Sequence, residues 1–156
     1  MRANFGVAMK KGWKKDDTPV TETDIAINRM VIDAVKKHYP DHGVLGEEES
    51  YNSKNKKYLW VCDPLDGTVP FAHGMPTFAF SFALVCDGKP IFGVIYDAIM
   101  NRMYTAELGK GSLLNGKRIK VNKLGLKNSV VFWDMKTTSE AYAKYPKVFW
   151  LNPYSV

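Results

Sequence analysis

The 156 residues are 46% hydrophobic and 24% charged, which is enough for one domain with a sizeable core and too little for two full domains. The net charge of +6 comes from short, scattered lysine and arginine clusters without a nucleic-acid motif, so we expect a solvated basic surface and no nucleic-acid partner. The 2 cysteines lack C-x-x-C spacing, which favours a reducing, cytoplasmic setting, and no apolar run reaches the roughly 18 residues of a membrane span, so we expect no membrane partner.

The first third of the chain is predicted to contain one long helix. A short helix around Phe5 to Met9 and a polar loop, "KKGWKKDDTP", precede it. The helix follows Thr23 and stops near "HYPDHG", because the apolar residues between these points recur at the spacing of one helical face. These apolar residues are Ile27, Met30, Val31, Ala34 and Val35.

The rest of the chain is predicted to consist mainly of strands. "GVLG" is the end of a strand, and a second strand, "YLWVC", leads into "DPLDGT". The segment "TFAFSFALVCDGKPIFGVIYDA" contains two β-rich runs joined by Cys86 to Lys89, which is a hairpin signature. "NRMYTAE" and "KRIKVN" add two short strands separated by "GKGSLLNG", and "SVVFWDM" adds another. Sequential hairpins predict an α+β fold, an antiparallel β-meander packed with helices, and not a doubly wound α/β fold.

Three acidic residues follow predicted strands directly, at loop positions where a rigid scaffold presents functional groups. Glu47 comes after "GVLG", and Asp63 and Asp66 come after "YLWVC". Carboxylates without an accompanying Cys or His cluster suit a hard cation such as Mg²⁺ better than zinc. Pro64 restricts Asp63 to an extended conformation, and the following turn is expected to return Asp66 to the same side.

Gly67 and Thr68 lead into "VPFAHG", which is predicted to be a short helix starting at Thr68 or Val69. A glycine followed by a helix N-terminus offers backbone amides to a phosphate. Pro70 is compatible with the first turn of such a helix. A metal site and a phosphate site would then be neighbours.

Other interpretations of these segments are available. Asp and Gly dominate ordinary turns, so turn chemistry alone also explains "DPLDGT". The segment is one residue longer than D-x-D-G-T, the nucleophile motif of haloacid dehalogenase-like phosphatases, and it lacks the D-x-D-x-D-G of an EF-hand. Thr21 and Asp24 have the spacing of a helix capping box, and Thr68 is a possible helix N-cap.

Five segments resemble, in order and spacing, the inositol monophosphatase family of Mg²⁺-dependent, lithium-sensitive phosphatases. They are "DDTPVTETD", "GVLGEEES", "WVCDPLDGT", "PIFGVIYDA" and "YTAELGKGSLLNGKRIKV". The resemblance implies hydrolysis of a small phosphate monoester, such as an inositol monophosphate or a related sugar phosphate, by an activated water and without a phosphoenzyme. It also implies Mg²⁺ as the cofactor.

The resemblance further implies roles for individual residues. The implied metal ligands are Glu47, Asp63, Asp66 and the backbone carbonyl of Leu65. The implied catalytic residues are Asp24, Glu47 and Thr68, and the resemblance implies that Thr68 is paired with Asp24 and orients the water. The implied substrate-binding residues are Asp66, Gly67 and Thr68.

The family's W-D-x-A-A-G segment has no match in this chain, because "FWDMK" at Phe132 to Lys136 lacks the Ala-Ala-Gly and comes too early. We therefore expect a metal- and phosphate-binding domain over residues 1–127 and the start of a second domain, largely absent, over residues 128–156. The resemblance implies a homodimer for a full-length protein. The alternative functions are a catalytically weak or inactive fragment of such an enzyme, or a basic nucleic-acid-binding domain.

Overall fold

The computed structural model describes residues 1–5, 11–13, 19–121, 130–132 and 149–151. The chain forms two compact units, Met1–Ile119 and Lys120–Val156. The predicted domain boundary between residues 127 and 128 lies outside the described residues and stays a prediction. The helix predicted around Phe5 to Met9 also falls mostly outside them, and Arg2–Asn4 just before it forms a 3₁₀ helix.

The two units contain eleven described strands and two described α-helices in total. In chain order they are β1 (Lys11–Trp13), β2 (Pro19–Thr21), α1 (Glu22–His38), β3 (Gly43–Gly46), β4 (Tyr58–Asp66), α2 (Thr68–Ala72), β5 (Ala79–Cys86), β6 (Lys89–Asp97), β7 (Arg102–Glu107), β8 (Gly111–Leu114), β9 (Lys117–Ile119), β10 (Val130–Phe132) and β11 (Phe149–Leu151). The strands β10 and β11 belong to the smaller unit and pair in parallel.

The long helix α1 confirms the prediction from apolar spacing. It begins with a capping box, in which the Thr21 amide donates to Asp24 Oδ2 at 3.0 Å. The first turn carries two acidic residues and the last turn carries three basic ones, so both ends complement the helix dipole. Among the helices in the described part of the chain, none is both long enough and apolar enough to cross a bilayer.

The larger unit is built on a seven-stranded sheet in the order β3-β4-β5-β6-β7-β8-β9. The strands β4 to β9 form the predicted antiparallel meander, and the α+β class is confirmed. The β5–β6 hairpin turns at Asp87 and Gly88, whose φ angles of 48° and 77° suit the twist of a two-residue turn.

Three features of the strands differ from expectation. The strand β3 pairs with β4 in parallel, so the sheet is mixed. The segment "GKGSLLNG", expected to separate two strands, contains β8. Part of the polar loop "KKGWKKDDTP" forms β1, which pairs antiparallel with β2 and satisfies backbone groups that a loop would leave to water.

The larger unit contains two clusters of buried apolar side chains. Ile32 and Val35 of α1 pack with Val44 of β3. Leu65 and Phe71 are fully buried in the second cluster, where the Phe71 ring meets Phe78 edge to face at 4.7 Å between centroids. The second cluster therefore anchors the segment from β4 to α2 through its buried side chains.

Candidate functional site

Asp63 and Asp66 lie at the carboxyl end of β4, on either side of a β-bulge. Asp63 pairs with Ser81 of β5 and Asp66 pairs with Ala79, so three steps along β4 match two along β5. Successive strand residues point to opposite faces, so two residues three apart in a regular strand would diverge. The extra residue of the bulge returns Asp66 to the face of Asp63. Pro64 is tolerated inside the strand because it lies in the bulge.

The carboxyl group of Asp63 is crowded by other carboxylates. Burial raises its pKa from 3.8 to about 7, helped by the charge of Glu47, a hydrogen bond with the Glu47 side chain and the charge of Asp66. The Leu65 amide donates to Asp63 Oδ1 at 3.1 Å and lowers the pKa in part. Asp63 therefore keeps its proton up to about pH 7. Crowded oxygen donors of this kind fit a hard divalent cation, which would replace the proton.

Glu47 reaches Asp63 because the parallel pairing of β3 and β4 continues one residue beyond β3. Gly46 pairs with Cys62, and the next amide, that of Glu47, donates to the Cys62 carbonyl at 3.0 Å. Glu47 lies near the start of a short loop, residues 46–50, which we call the acidic loop. Within it the Ser50 hydroxyl lies 3.3 Å from the Gly46 amide. The parallel strand thus brings an acidic side chain from outside the meander to the end of β4.

A second pair joins residues that are 44 positions apart. The Thr68 hydroxyl donates to Asp24 Oδ1 at 3.2 Å and to the Leu65 carbonyl at 3.0 Å, so its single hydrogen is shared between two acceptors. Asp24 is fully buried, and its other oxygen accepts from the Thr21 amide and hydroxyl. Asp24 therefore caps α1, as its spacing from Thr21 predicts, and also contacts Thr68.

Gly67 forms the turn between Asp66 and α2. Its φ of 93° and ψ of 42° are left-handed, and a Cβ there would lie 2.7 Å from the Thr77 carbonyl oxygen. The helix α2 starts at Thr68, as predicted, but its N-cap is Gly67 and not Thr68. A glycine is thus needed to pass directly from the bulge into the helix.

Cys62 is the residue before Asp63, and its thiol is buried and unreactive. Only 2% of its surface is exposed. Burial, followed by the charges of Asp63 and Glu47, raises the pKa of its thiol to about 12, so the reactive thiolate does not form near neutral pH.

The structure brings the predicted site residues to one end of β4, but not into a closed cage. Glu47 and Asp63 are in contact, and the Leu65 carbonyl links this end of the strand to Thr68. Asp66 is exposed, and in the described ranges no three His, Cys, Asp or Glu side chains form a ready group of metal ligands.

Sequence reasoning missed Asn28, which donates to the Glu49 carbonyl in the acidic loop at 2.8 Å. Only 1% of its surface is exposed. Asn28 lies one helical turn after Asp24 and one before Ile32, so it is a polar residue on the buried face of α1. This placement was the signal that could have revealed it.

We expect the free energy of unfolding of the metal-free chain to fall as the pH rises from about 4 to about 7. The folded chain raises the pKa of Asp63 from 3.8 to about 7, so between these values it holds a proton that the unfolded chain has released. This contribution is fully present below about pH 4 and is lost above about pH 7. Urea unfolding in chelator at about pH 5 and about pH 8 measures the fall, which should be smaller in Asp63→Asn. Equal falls in parent and variant would contradict the assignment.

A model of the inositol monophosphatase family matches residues 2–146. The chain is 41% identical over 106 residues to Nus factor SuhB of Pseudomonas aeruginosa, which covers 66% of this chain and 39% of the relative. It is 38% identical over 117 residues to fructose-1,6-bisphosphatase/inositol-1-monophosphatase of Thermotoga maritima, which covers 75% of this chain and 44% of the relative. The chain thus spans about two fifths of the length of these two relatives, at 39% and 44%.

Comparison of the fold with solved structures indicates the same family as comparison of the sequence. A solved IMPase structure from Thermotoga maritima superposes with a TM-score of 0.83 at 30% identity, over 94% of this chain and 59% of that one. The matched residues 2–146 include the end of β4, the acidic loop and the Asp24–Thr68 pair. The chain therefore belongs to the inositol monophosphatase family.

Proposed function

We propose that this chain supplies the metal- and phosphate-binding groups of a Mg²⁺-dependent phosphatase that hydrolyses a small phosphate monoester. The observation that carries the proposal is the convergence of two side-chain pairs at the end of β4. The side chains of Glu47 and Asp63 are hydrogen-bonded there, and Thr68 links Asp24 to the Leu65 carbonyl. An acidic pair and a hydroxyl with a buried partner suit hydrolysis better than a purely structural turn.

The proposed metal ligands are all oxygen atoms at the end of β4 and in the acidic loop. They belong to Glu47, Asp63, Asp66 and the Leu65 carbonyl. Mg²⁺ bound by such a group lowers the pKa of a coordinated water and neutralises phosphate charge. The bulge supports this assignment because it turns Asp66 to the face of Asp63. The raised pKa of Asp63 supports it as well, because the crowding disappears when a cation displaces the proton.

The proposed catalytic residues are Asp24, Glu47 and Thr68. The Thr68 hydroxyl gives its hydrogen to Asp24 or to the Leu65 carbonyl, so its oxygen is left to accept a hydrogen from a water. Asp24 holds this orientation because it is buried and fixed by the capping box. Glu47 is proposed as a proton acceptor because its carboxylate lies against Asp63, at the end of β4 where the proposed ligands meet.

The proposed substrate contacts come from the turn between β4 and α2. They are Asp66 and the backbone of Gly67 and Thr68. The left-handed Gly67 brings the chain into α2 without an intervening residue, so phosphate at these amides would lie beside the metal ligands. The substrate class is an inositol monophosphate or a related sugar phosphate, in keeping with the relative named fructose-1,6-bisphosphatase/inositol-1-monophosphatase.

A panel of phosphate esters tests the proposal. The chain is incubated with inositol monophosphate, fructose bisphosphate or histidinol phosphate, once with Mg²⁺ and once with chelator. The phosphate released is then measured. We expect release that requires Mg²⁺ and leaves no phosphate on the protein. Intact mass after a substrate quench checks the second point, because an aspartyl nucleophile would be transiently phosphorylated. Release unaffected by chelator, or a phosphorylated Asp63, would overturn the proposal.

A second candidate function is binding of RNA. It is favoured by the exposed basic residues Lys117 and Arg118 of the edge strand β9. A salt titration with single-stranded RNA separates this function from catalysis, because phosphate contacts give a steep salt dependence. The homodimer and the cytoplasmic setting stay predictions.

A further inference from the structure

The acidic loop is held from one side by a single buried side chain of α1. Asn28 donates through its amide nitrogen to the Glu49 carbonyl at 2.8 Å, and only 1% of its surface is exposed. At the other end of the loop a Cβ on Gly46 would lie 3.0 Å from Asn28 Cγ, so only a glycine lets the amide approach. Asn28 therefore touches both the start and the end of the segment that carries Glu47.

A second contact between the loop and α1 is an exposed ion pair. Arg29 reaches the Glu49 carboxylate at 3.5 Å, but both side chains are more than half exposed, at 68% and 56%. Exposed ion pairs of this kind contribute little, since solvent screens them. The part-buried hydrogen bond from Asn28 contributes more, because its loss would leave the buried Asn28 side chain and the Glu49 carbonyl without each other. Of these two contacts between helix and loop, the one from Asn28 is therefore the stronger.

Asn28 is also an unusual choice for a purely structural position. Its Oδ1 is buried and has no hydrogen-bond partner in the described part of the chain. A buried polar atom without a partner lowers stability, so an apolar residue on this face of α1 would pack at lower cost. The presence of an asparagine at this position is explained if its side-chain amide is needed as a donor to hold the loop.

We propose that Asn28 is a positioning residue, which keeps the acidic loop in place so that Glu47 stays against Asp63. If the proposed function holds, Asn28 also sets the affinity of the site for a divalent cation. It acts through the Glu49 carbonyl and Gly46 and touches neither substrate nor cation. Side chains that hold metal ligands in place without touching the metal change metal affinity by about 10- to 100-fold when they are lost.

The variant that tests this is Asn28→Leu, which keeps the bulk but removes the donor. Asn28→Ser, whose hydroxyl is too short to reach Glu49, serves if the leucine variant does not fold. The control is Val35→Ala on the same helix, which removes buried apolar contacts with the Val44 cluster and leaves the Asn28 bond intact.

Hydrogen exchange of the metal-free chains gives the first measurement. We expect the Glu47 amide, which is bonded to the Cys62 carbonyl, to exchange at least about tenfold faster in Asn28→Leu than in the parent, relative to amides of β5 and β6. In Val35→Ala this ratio should stay at the parent value. An unchanged ratio in both Asn28 variants would overturn the positioning role.

The second measurement is the Mg²⁺ concentration at which half of the thermal stabilisation is reached. It should rise about tenfold or more in Asn28→Leu and stay at the parent value in Val35→Ala. An equal midpoint in all chains would overturn the effect on affinity. If the parent itself shows no response to Mg²⁺, the proposed function fails, and the exchange measurement alone decides whether Asn28 positions the loop.

Discussion

The variant Asp66→Asn is expected to lose the stabilisation by Mg²⁺ and nearly all Mg²⁺-dependent phosphate release. Asp66 lies on the face of Asp63 because of the bulge, and its charge acts on Asp63. An amide removes a full negative charge from the proposed ligand group. At a Mg²⁺ concentration about 100 times the dissociation constant, the parent gains about 2.7 kcal/mol of stability from binding. The variant should gain much less, and its melting temperature should hardly respond to Mg²⁺.

Asp33→Asn is the matched control for this experiment. Asp33 is an exposed residue of α1, and its substitution changes the net charge of the chain by the same amount. A general effect of charge on Mg²⁺ binding would therefore appear in both variants. We expect the Asp33 variant to follow the parent in both the thermal and the phosphate-release measurements. If Asp66→Asn also follows the parent, the assignment of Asp66 as a ligand is wrong.

The variant Gly67→Ala is expected to lose roughly 2 to 5 kcal/mol of unfolding free energy, the sum of a left-handed backbone and an overpacked contact. The φ of 93° is costly for any residue with a Cβ, and that Cβ would lie 2.7 Å from the Thr77 carbonyl oxygen and 3.2 Å from Phe78 Cα. Neither contact can be relieved by a rotating side chain, because both are with backbone atoms. Urea unfolding measures the loss.

Gly88→Ala isolates the backbone contribution from the contact. Gly88 has a similar left-handed φ of 77°, but a Cβ there would meet nothing within 4 Å. We expect this variant to lose only about 1 to 2 kcal/mol. The difference between the two variants is then the cost of moving the Gly67 turn away from Thr77 and Phe78. Equal losses in the two variants would show that the close contact at Gly67 has no energetic weight.

Local patterns were sufficient to predict much of the fold. The helix α1 was visible from its apolar spacing and its capping residues, and the β5–β6 hairpin from Asp87 and Gly88, because each signal lies within the element that it specifies. The strand β3 was not predicted as a parallel partner of β4. Its four residues carry no mark of the strand they pair with, and parallel pairing depends on contacts distant in sequence.

The site was predictable to a different degree. The residue types and the loop positions of Glu47, Asp63 and Asp66 indicated a hard cation, but individual roles came only from the resemblance to a family. Asn28 was missed, because one polar residue on an apolar helical face does not reveal which distant loop it meets. The pairing of Thr68 with Asp24 was implied by the resemblance and is present in the structure, but local sequence patterns do not show it, because the two residues are 44 positions apart.

Because of the bulge at Pro64 and Leu65, Asp63 and Asp66 lie on one face of β4 although they are an odd number of residues apart. In a regular strand, residues two apart share a face, whereas residues three apart share one only if an extra residue intervenes. Deleting Pro64 would leave Asp63 and Asp66 two apart and spell D-x-D-G-T, the motif of a different phosphatase class. The longer motif with a bulge and the shorter motif without one are therefore two solutions to the same requirement. A deletion of one residue that also abolished the bulge would keep both carboxylates on one face, whereas a deletion that left the bulge in place would separate them.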